Sequence, residues 1–115
     1  MHELGITRNI VAIVAIVADA ARGRRVTRVH LEVGKLSGIM SQAIAFCFET
    51  VCKESAIEGA SLVIREVDGR ARCRSCGAEF DTPTLFTPCA CGGRDLVRLS
   101  GEELKITTME LEEAA

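Results

Sequence analysis

Tryptophan and tyrosine are absent from this chain, and its aromatic content, all phenylalanine, is only 3%. The formal net charge is −2. A protein so short of stacking side chains and of positive charge has little with which to hold a nucleic acid, whose phosphates call for cations and whose bases call for aromatic faces. Long apolar runs are missing too: IVAIVAIVA, residues 10–18, falls well short of the roughly 20 residues that cross a bilayer. A secretory leader is not expected, because Glu3 comes early and Asp19 and Arg22 close an amphipathic segment. The expectation is therefore a cytoplasmic protein with no nucleic-acid partner and no membrane span. In that compartment clustered cysteines serve as metal ligands more often than as disulfides. What is present is globular material, 48% apolar and 26% charged over 115 positions. That is enough for one modest domain burying roughly two thirds of its extended surface.

From Leu4 to about Ala21, Ile6, Ile10, Ile13, Val14, Val17 and Ala21 recur at helical spacing, and Gly23 ends the pattern with Arg22, Arg24 and Arg25 near the negative end of the helix. In RVTRVHLEVGKLSG, residues 25–38, Val29, Leu31 and Val33 alternate with Arg28, His30 and Glu32, which predicts a strand with one buried face. His30 falls on its polar side and reads as a surface or hydrogen-bonded histidine. Helical spacing returns from Ser41 to about Lys53 through Ile44, Phe48 and Val51, with Ser41 or Ser37 as candidate N-cap. Cys47 and Cys52 on this helix do not share a face and read as small core residues. A second strand, ASLVIREV, follows Gly59 and stops at the Asp68-Gly69 turn. A third runs from Glu102 to Glu113, its alternation shifting near Thr107-Thr108 as a bulge would shift it. The order predicts an α+β fold: a small sheet of about three strands with two helices, interrupted at about Arg70 by a segment inserted between two strands of that sheet.

The inserted segment, residues 70–100, offers few large apolar side chains, chiefly Phe80, Leu85, Phe86, Leu96, Val97 and Leu99. That is too little for a core of its own. It does hold four of the six cysteines, as Cys73-x-x-Cys76 and Cys89-x-Cys91, each pair followed by a glycine, Gly77 or Gly92. Two cysteine pairs with glycine turns match a zinc-ribbon subdomain, in which four thiolates close a structural Zn(II) site and leave no open position for catalysis. Structural zinc supplies folding free energy of about 10–16 kcal/mol in small modules. A redox pair at Cys73 and Cys76 is the alternative. It lacks the helix N-terminus that would depress a thiol pKa.

The chain has two histidines, and one of them is residue 2. The Met1 amine, the next backbone nitrogen and the His2 imidazole can close fused chelate rings on one metal, with Glu3 adding a carboxylate or its backbone nitrogen. Ni²⁺ and Cu²⁺ favour such nitrogen-rich, square-planar or tetragonal sites. Protons compete for these nitrogens around neutrality, so binding is reversible and strengthens as pH rises. On the residues alone, a frayed chain end is the simpler reading of Met-His-Glu.

The residues quoted so far also carry a resemblance. MHEL at the start, RVTRVHLEVGKLSG, AFCFE at 45–49, GASLVI at 59–64, the Cys73/Cys76 pair, CGG at 91–93 and GEELKITTMEL at 101–111 together resemble the HypA/HybF family of nickel metallochaperones for [NiFe]-hydrogenase maturation. The resemblance implies a nickel-binding α/β domain (1–69 and 101–115) with an inserted zinc-binding domain (70–100). It implies Ni(II) held as cargo by His2, the Met1 amine and the neighbouring backbone nitrogen with support from Glu3, and structural Zn(II) held by Cys73, Cys76, Cys89 and Cys91. The chain departs from the family at the second pair, usually C-x-x-C, whose first position would fall on Pro88. The implied function is not enzymatic: nickel is taken up and released to the hydrogenase large-subunit precursor, in cooperation with an accessory GTPase, by a monomer or weak homodimer. A zinc-ribbon adaptor without nickel transfer and a thiol oxidoreductase are the readings from other classes.

Overall fold

The structure, a computed structural model, describes residues 2–22 and 24–112. Met1 of the expected nickel site, the Gly23 helix stop and the Glu113 end of the third strand lie outside the described residues. The elements in chain order are α1 (His2–Ala20), β1 (Val26–Gly34), α2 (Ser41–Lys53), β2 (Ser61–Val67), β3 (Arg70–Cys73), β4 (Glu79–Asp81), β5 (Leu96–Ser100) and β6 (Leu104–Leu111). They form two three-stranded sheets, ordered β2-β1-β6 and β4-β3-β5. The expected architecture is what the chain adopts: two helices with a small sheet, and a cysteine-bearing ribbon inserted between strands of that sheet.

The first sheet is mixed. The Ser61 hydroxyl donates to the Thr27 carbonyl and the Lys35 amide to the Val67 carbonyl, so β1 and β2 run in the same direction. The Gly34 amide donates to Glu103 and the Glu112 amide to Arg25, so β6 runs against β1. A parallel pair needs a crossover, and α2 supplies it.

Two compact units divide the chain: Met1–Leu31 with Met40–Arg65 and Lys105–Ala115, and Glu32–Ile39 with Glu66–Leu104. In the first, Ile10, Val11, Val14 and Ala18 of α1, Val26, Val29 and Leu31 of β1, Ile44, Phe48 and Cys52 of α2, and Ile57 make the core. Cys52 behaves as expected, its thiol pushed up by burial and donating to the Ile57 carbonyl at 2.8 Å. Cys47 is half-buried.

Three local expectations are corrected. Helix α1 begins at His2, not Leu4, so His2 and Glu3 belong to a regular first turn and not to a frayed end. Its buried face is Thr7, Ile10, Val11, Val14 and Ala18, whereas Ile13 is 51% and Val17 47% exposed. With apolar residues nearly all round this helix, periodicity could not choose a side, and packing against α2 chose it. Thr7 tolerates full burial because its hydroxyl donates to the Glu3 carbonyl at 2.6 Å. Finally, neither Ser37 nor Ser41 caps α2. The N-cap is Met40, without a side-chain cap bond, while Ser37 accepts from the Ile39 amide.

In the second unit β3 pairs antiparallel with β4 (Ala71 opposite Phe80) and with β5 (Ala71 opposite Arg98, Cys73 opposite Leu96). Ala71, Cys73, Thr82 and Cys89 are buried there.

Candidate metal centre

Cys73 ends β3 and opens a turn in which the Gly77 amide donates to the Cys73 carbonyl and the Cys73 amide to the Ala78 carbonyl. Gly77 adopts φ 79°, a left-handed conformation that L side chains resist. The shorter second pair is accommodated by a second closed turn. The Cys89 amide donates to Gly93, the Gly92 amide to Cys89, and Gly92 sits at φ 88°. Each turn thus presents two sulfurs to the other.

The four sulfurs lie within 4.8 Å of one another. Cys73 Sγ is 3.7 Å from Cys91 Sγ, and Cys76 Sγ is 3.6 Å from Cys89 Sγ. A tetrahedron of sulfurs with metal–sulfur bonds of about 2.3 Å has edges of roughly 3.8 Å. The cluster therefore has the dimensions of a tetrathiolate cage. Cys89, in the pair that departs from the family spacing, takes its place in the cluster and is nearly inaccessible to solvent.

Electrostatics show why a cation fits. The Cys76 backbone N–H, with that of Ser75, stabilises the Cys73 thiolate and lowers its pKa to about 7. The Gly93 amide, 3.4 Å away, pulls the Cys91 thiol down, but the sulfurs of Cys89, Cys73 and Cys76 outweigh it and push Cys91 up to about 12. Four thiolates this close repel one another, and a divalent cation at their centre removes the repulsion. No helix N-terminus adjoins Cys73 or Cys76. Four soft sulfur donors in tetrahedral proportion suit Zn²⁺ or an iron–sulfur type of ion and disfavour hard, octahedral cations.

Gly93 is a participant that the sequence reading missed. A Cβ there would come within 2.8 Å of Cys73 Sγ and 3.2 Å of Cys91 Sγ, so a side chain would crowd the cage. The doubled glycine after Cys91 was the available signal.

At the other expected site, His2 is exposed on the first turn of α1. Glu3 is held: its carboxylate accepts from the Met40 amide at 3.2 Å, and this bond, first among its causes, keeps the Glu3 carboxyl below the usual range. His30 pairs with Glu110, Nε2 to Oε2 at 2.7 Å. Among the described residues the four cysteines are the only group of three or more His, Cys, Asp or Glu side chains placed to share an ion. No helix of the described residues is long and apolar enough to cross a membrane.

Two helices on a small mixed sheet, with a four-cysteine ribbon inserted between strands, define an α+β protein of the zinc-ribbon-bearing kind. The chain belongs to the HypA family, whose model, described as hydrogenase/urease nickel incorporation, metallochaperone, matches residues 1–111. It is 52% identical over 113 residues to hydrogenase maturation factor HypA of a Nostoc species, covering 98% of this chain and 97% of that protein. It is 47% identical over 113 residues to hydrogenase maturation factor HypA of Geobacter metallireducens, covering 97% and 100%. The fold matches the solution structure of the Ni metallochaperone HypA from Helicobacter pylori with a TM-score of 0.69 at 22% identity, over 96% of this chain and 97% of that one.

Proposed function

We propose that this protein binds Ni(II) as cargo at its N-terminus and delivers it to the [NiFe]-hydrogenase large-subunit precursor during maturation. The ligands in this reading are the Met1 amine, the following backbone nitrogen and the His2 imidazole, with Glu3 in support. Residues 1–69 and 101–115 act as the nickel-binding domain. Residues 70–100 act as a domain folded around structural Zn(II) held by Cys73, Cys76, Cys89 and Cys91. The protein works in the cytoplasm without catalysing a reaction, as a monomer or weak homodimer that cooperates with an accessory GTPase.

The observation that carries the reading is His2, exposed on the first turn of a regular helix beside a Glu3 tied to Met40. The first N–H groups of an α-helix have no intrahelical acceptor, so nitrogens at this end are not consumed by the ladder and remain available to a metal. The helix field opposes a cation there, and the adjacent Glu3 carboxylate offsets it. A site of that kind is accessible and releases its cargo readily. The zinc site supports the same reading from the other side, because four protein sulfurs leave no position from which nickel would be handed on.

The test is a Ni²⁺ titration of zinc-loaded protein with an unmodified N-terminus, beside His2→Ala and a variant carrying two extra residues ahead of Met1. The extension blocks the amine and keeps every side chain. Both changes should abolish a one-to-one site that the parent binds. Equal binding by all three would place nickel elsewhere and favour a zinc-ribbon adaptor.

A further inference from the structure

The segment Pro83–Pro88, which leads into Cys89, presents its apolar side chains outward. Phe86 is 82% and Leu85 46% exposed. Its two threonines are tied to each other and to the loop backbone. The Thr84 amide donates to the Thr87 hydroxyl, the Phe86 amide to the Thr84 hydroxyl, and the two hydroxyls lie 2.9 Å apart. The Thr87 hydroxyl also reaches the Thr84 carbonyl. Arg98 braces the base, donating to the Thr82 hydroxyl and to the Leu85 carbonyl. A loop cross-tied in this way holds an aromatic ring in water, where burying it against a partner would be favourable.

Beside the ring is a groove of about 210 Å³ lined by Leu85, Phe86, Thr87, Pro88, Arg94 and Leu96. It is smaller than the roughly 300–1,000 Å³ of a small-molecule site and has room for one large side chain. Arg94 is its only charged wall, and no carboxylate lines it. Arg94 has no ion-pair partner among the described residues, while the adjacent Asp95 is taken by Arg74. A rigid aromatic beside an uncommitted arginine is the composition of an interface hot spot, and the bracing removes the ordering cost that a mobile loop would incur. One free arginine and one ring do not make a nucleic-acid track, which needs a row of cations.

We infer that the Leu85–Phe86 loop and Arg94 form a docking site for an extended segment of a protein partner in which a carboxylate neighbours a large apolar side chain. The apolar side chain packs on Phe86, Leu85 and Leu96, and the carboxylate pairs with Arg94. Pro88 and Arg94 flank the Cys89–Gly93 turn, so the metal cluster holds both walls of the groove. This assignment rests on the metallochaperone reading for the identity of the partner as a protein in nickel transfer.

The experiment is selection of a random dodecapeptide library on the zinc-loaded full chain, with the strongest binders synthesised and measured by fluorescence anisotropy. The expected outcome is an enriched acidic–apolar consensus whose affinity falls roughly tenfold or more in both Phe86→Ser and Arg94→Glu. Both substitutions are at exposed positions, and unchanged zinc content certifies the fold of each variant. A basic consensus, no enrichment, or peptides that bind parent and variants alike would overturn the inference. Nickel titration of the same three proteins reads the terminal chelate separately. Loss of peptide binding with nickel binding intact is the expected pattern in the variants, and absence of nickel binding in the parent would count against the metallochaperone reading alone.

Discussion

Gly34 lies against Gly101 so closely that a Cβ on Gly34 would collide with the Gly101 carbonyl oxygen. That oxygen accepts from the Leu36 amide at 2.7 Å, and the Gly34 amide donates to Glu103 at 2.7 Å, so neither strand can move aside without losing a backbone bond. Gly34→Ala should therefore cost about 3 kcal/mol, at the upper part of the range for overpacking. The check is the urea midpoint, with Gly38→Ala as the contrast. Gly38 has open space around it, and its φ of 78° alone makes alanine unfavourable there, by about 1 kcal/mol.

Cys89→Ser and Cys91→Ser should each release the bound metal, since a cage of four sulfurs with one removed loses both charge balance and geometry. A colorimetric zinc assay after gel filtration gives the stoichiometry. Chelation of the parent should expose residues 70–100 to protease, because few apolar contacts hold that segment otherwise. Acid should act in the same direction, as protons displace metal from thiolates.

Glu110 contributes stability with a definite pH sign. The His30 contact, then the Arg28 charge, holds its carboxyl below the usual value. A depressed folded pKa stabilises above the unfolded value of about 4.3 and ceases to do so as pH falls through the folded one. The urea midpoint of the parent should exceed that of Glu110→Gln at about pH 5, above the unfolded carboxyl value, and the gap should narrow as the solution is made more acid than that value. A gap unchanged at acid pH would mean that the carboxylate charge is not what Glu110 contributes.

Neighbouring residues on α1 should respond in opposite ways. Val14 is fully buried and Ile13 is 51% exposed. Val14→Ser removes core packing and buries a hydroxyl, for a loss of roughly 2–4 kcal/mol, whereas Ile13→Ser should stay within about 0.5 kcal/mol. Thermal melts of the two variants decide it.

The strand of alternating Val29, Leu31 and Val33, and the α2 span Ser41–Lys53, were legible because each has one apolar face and one polar face. The four cysteines were legible through spacing, even with a C-x-C pair, because the donor chemistry restricts what such a cluster can do. What escaped was information held between elements. The buried side of α1 depends on where α2 packs. The residue that opens α2, Met40, is tied by its amide to Glu3, 37 residues away in sequence, and not to the serines nearby. Gly93 matters through atoms of Cys73 across the turn. None of these is a property of a local window.

Strand β1 lies between β2 and β6, and the whole cysteine ribbon separates those two along the chain. On the ribosome, all four sulfurs emerge before Leu104–Leu111 does. The edge of β1 is therefore covered only by a strand that returns from beyond the ribbon. A ribbon left without a metal would make that closure a long flexible loop, with the entropic disadvantage such a loop carries.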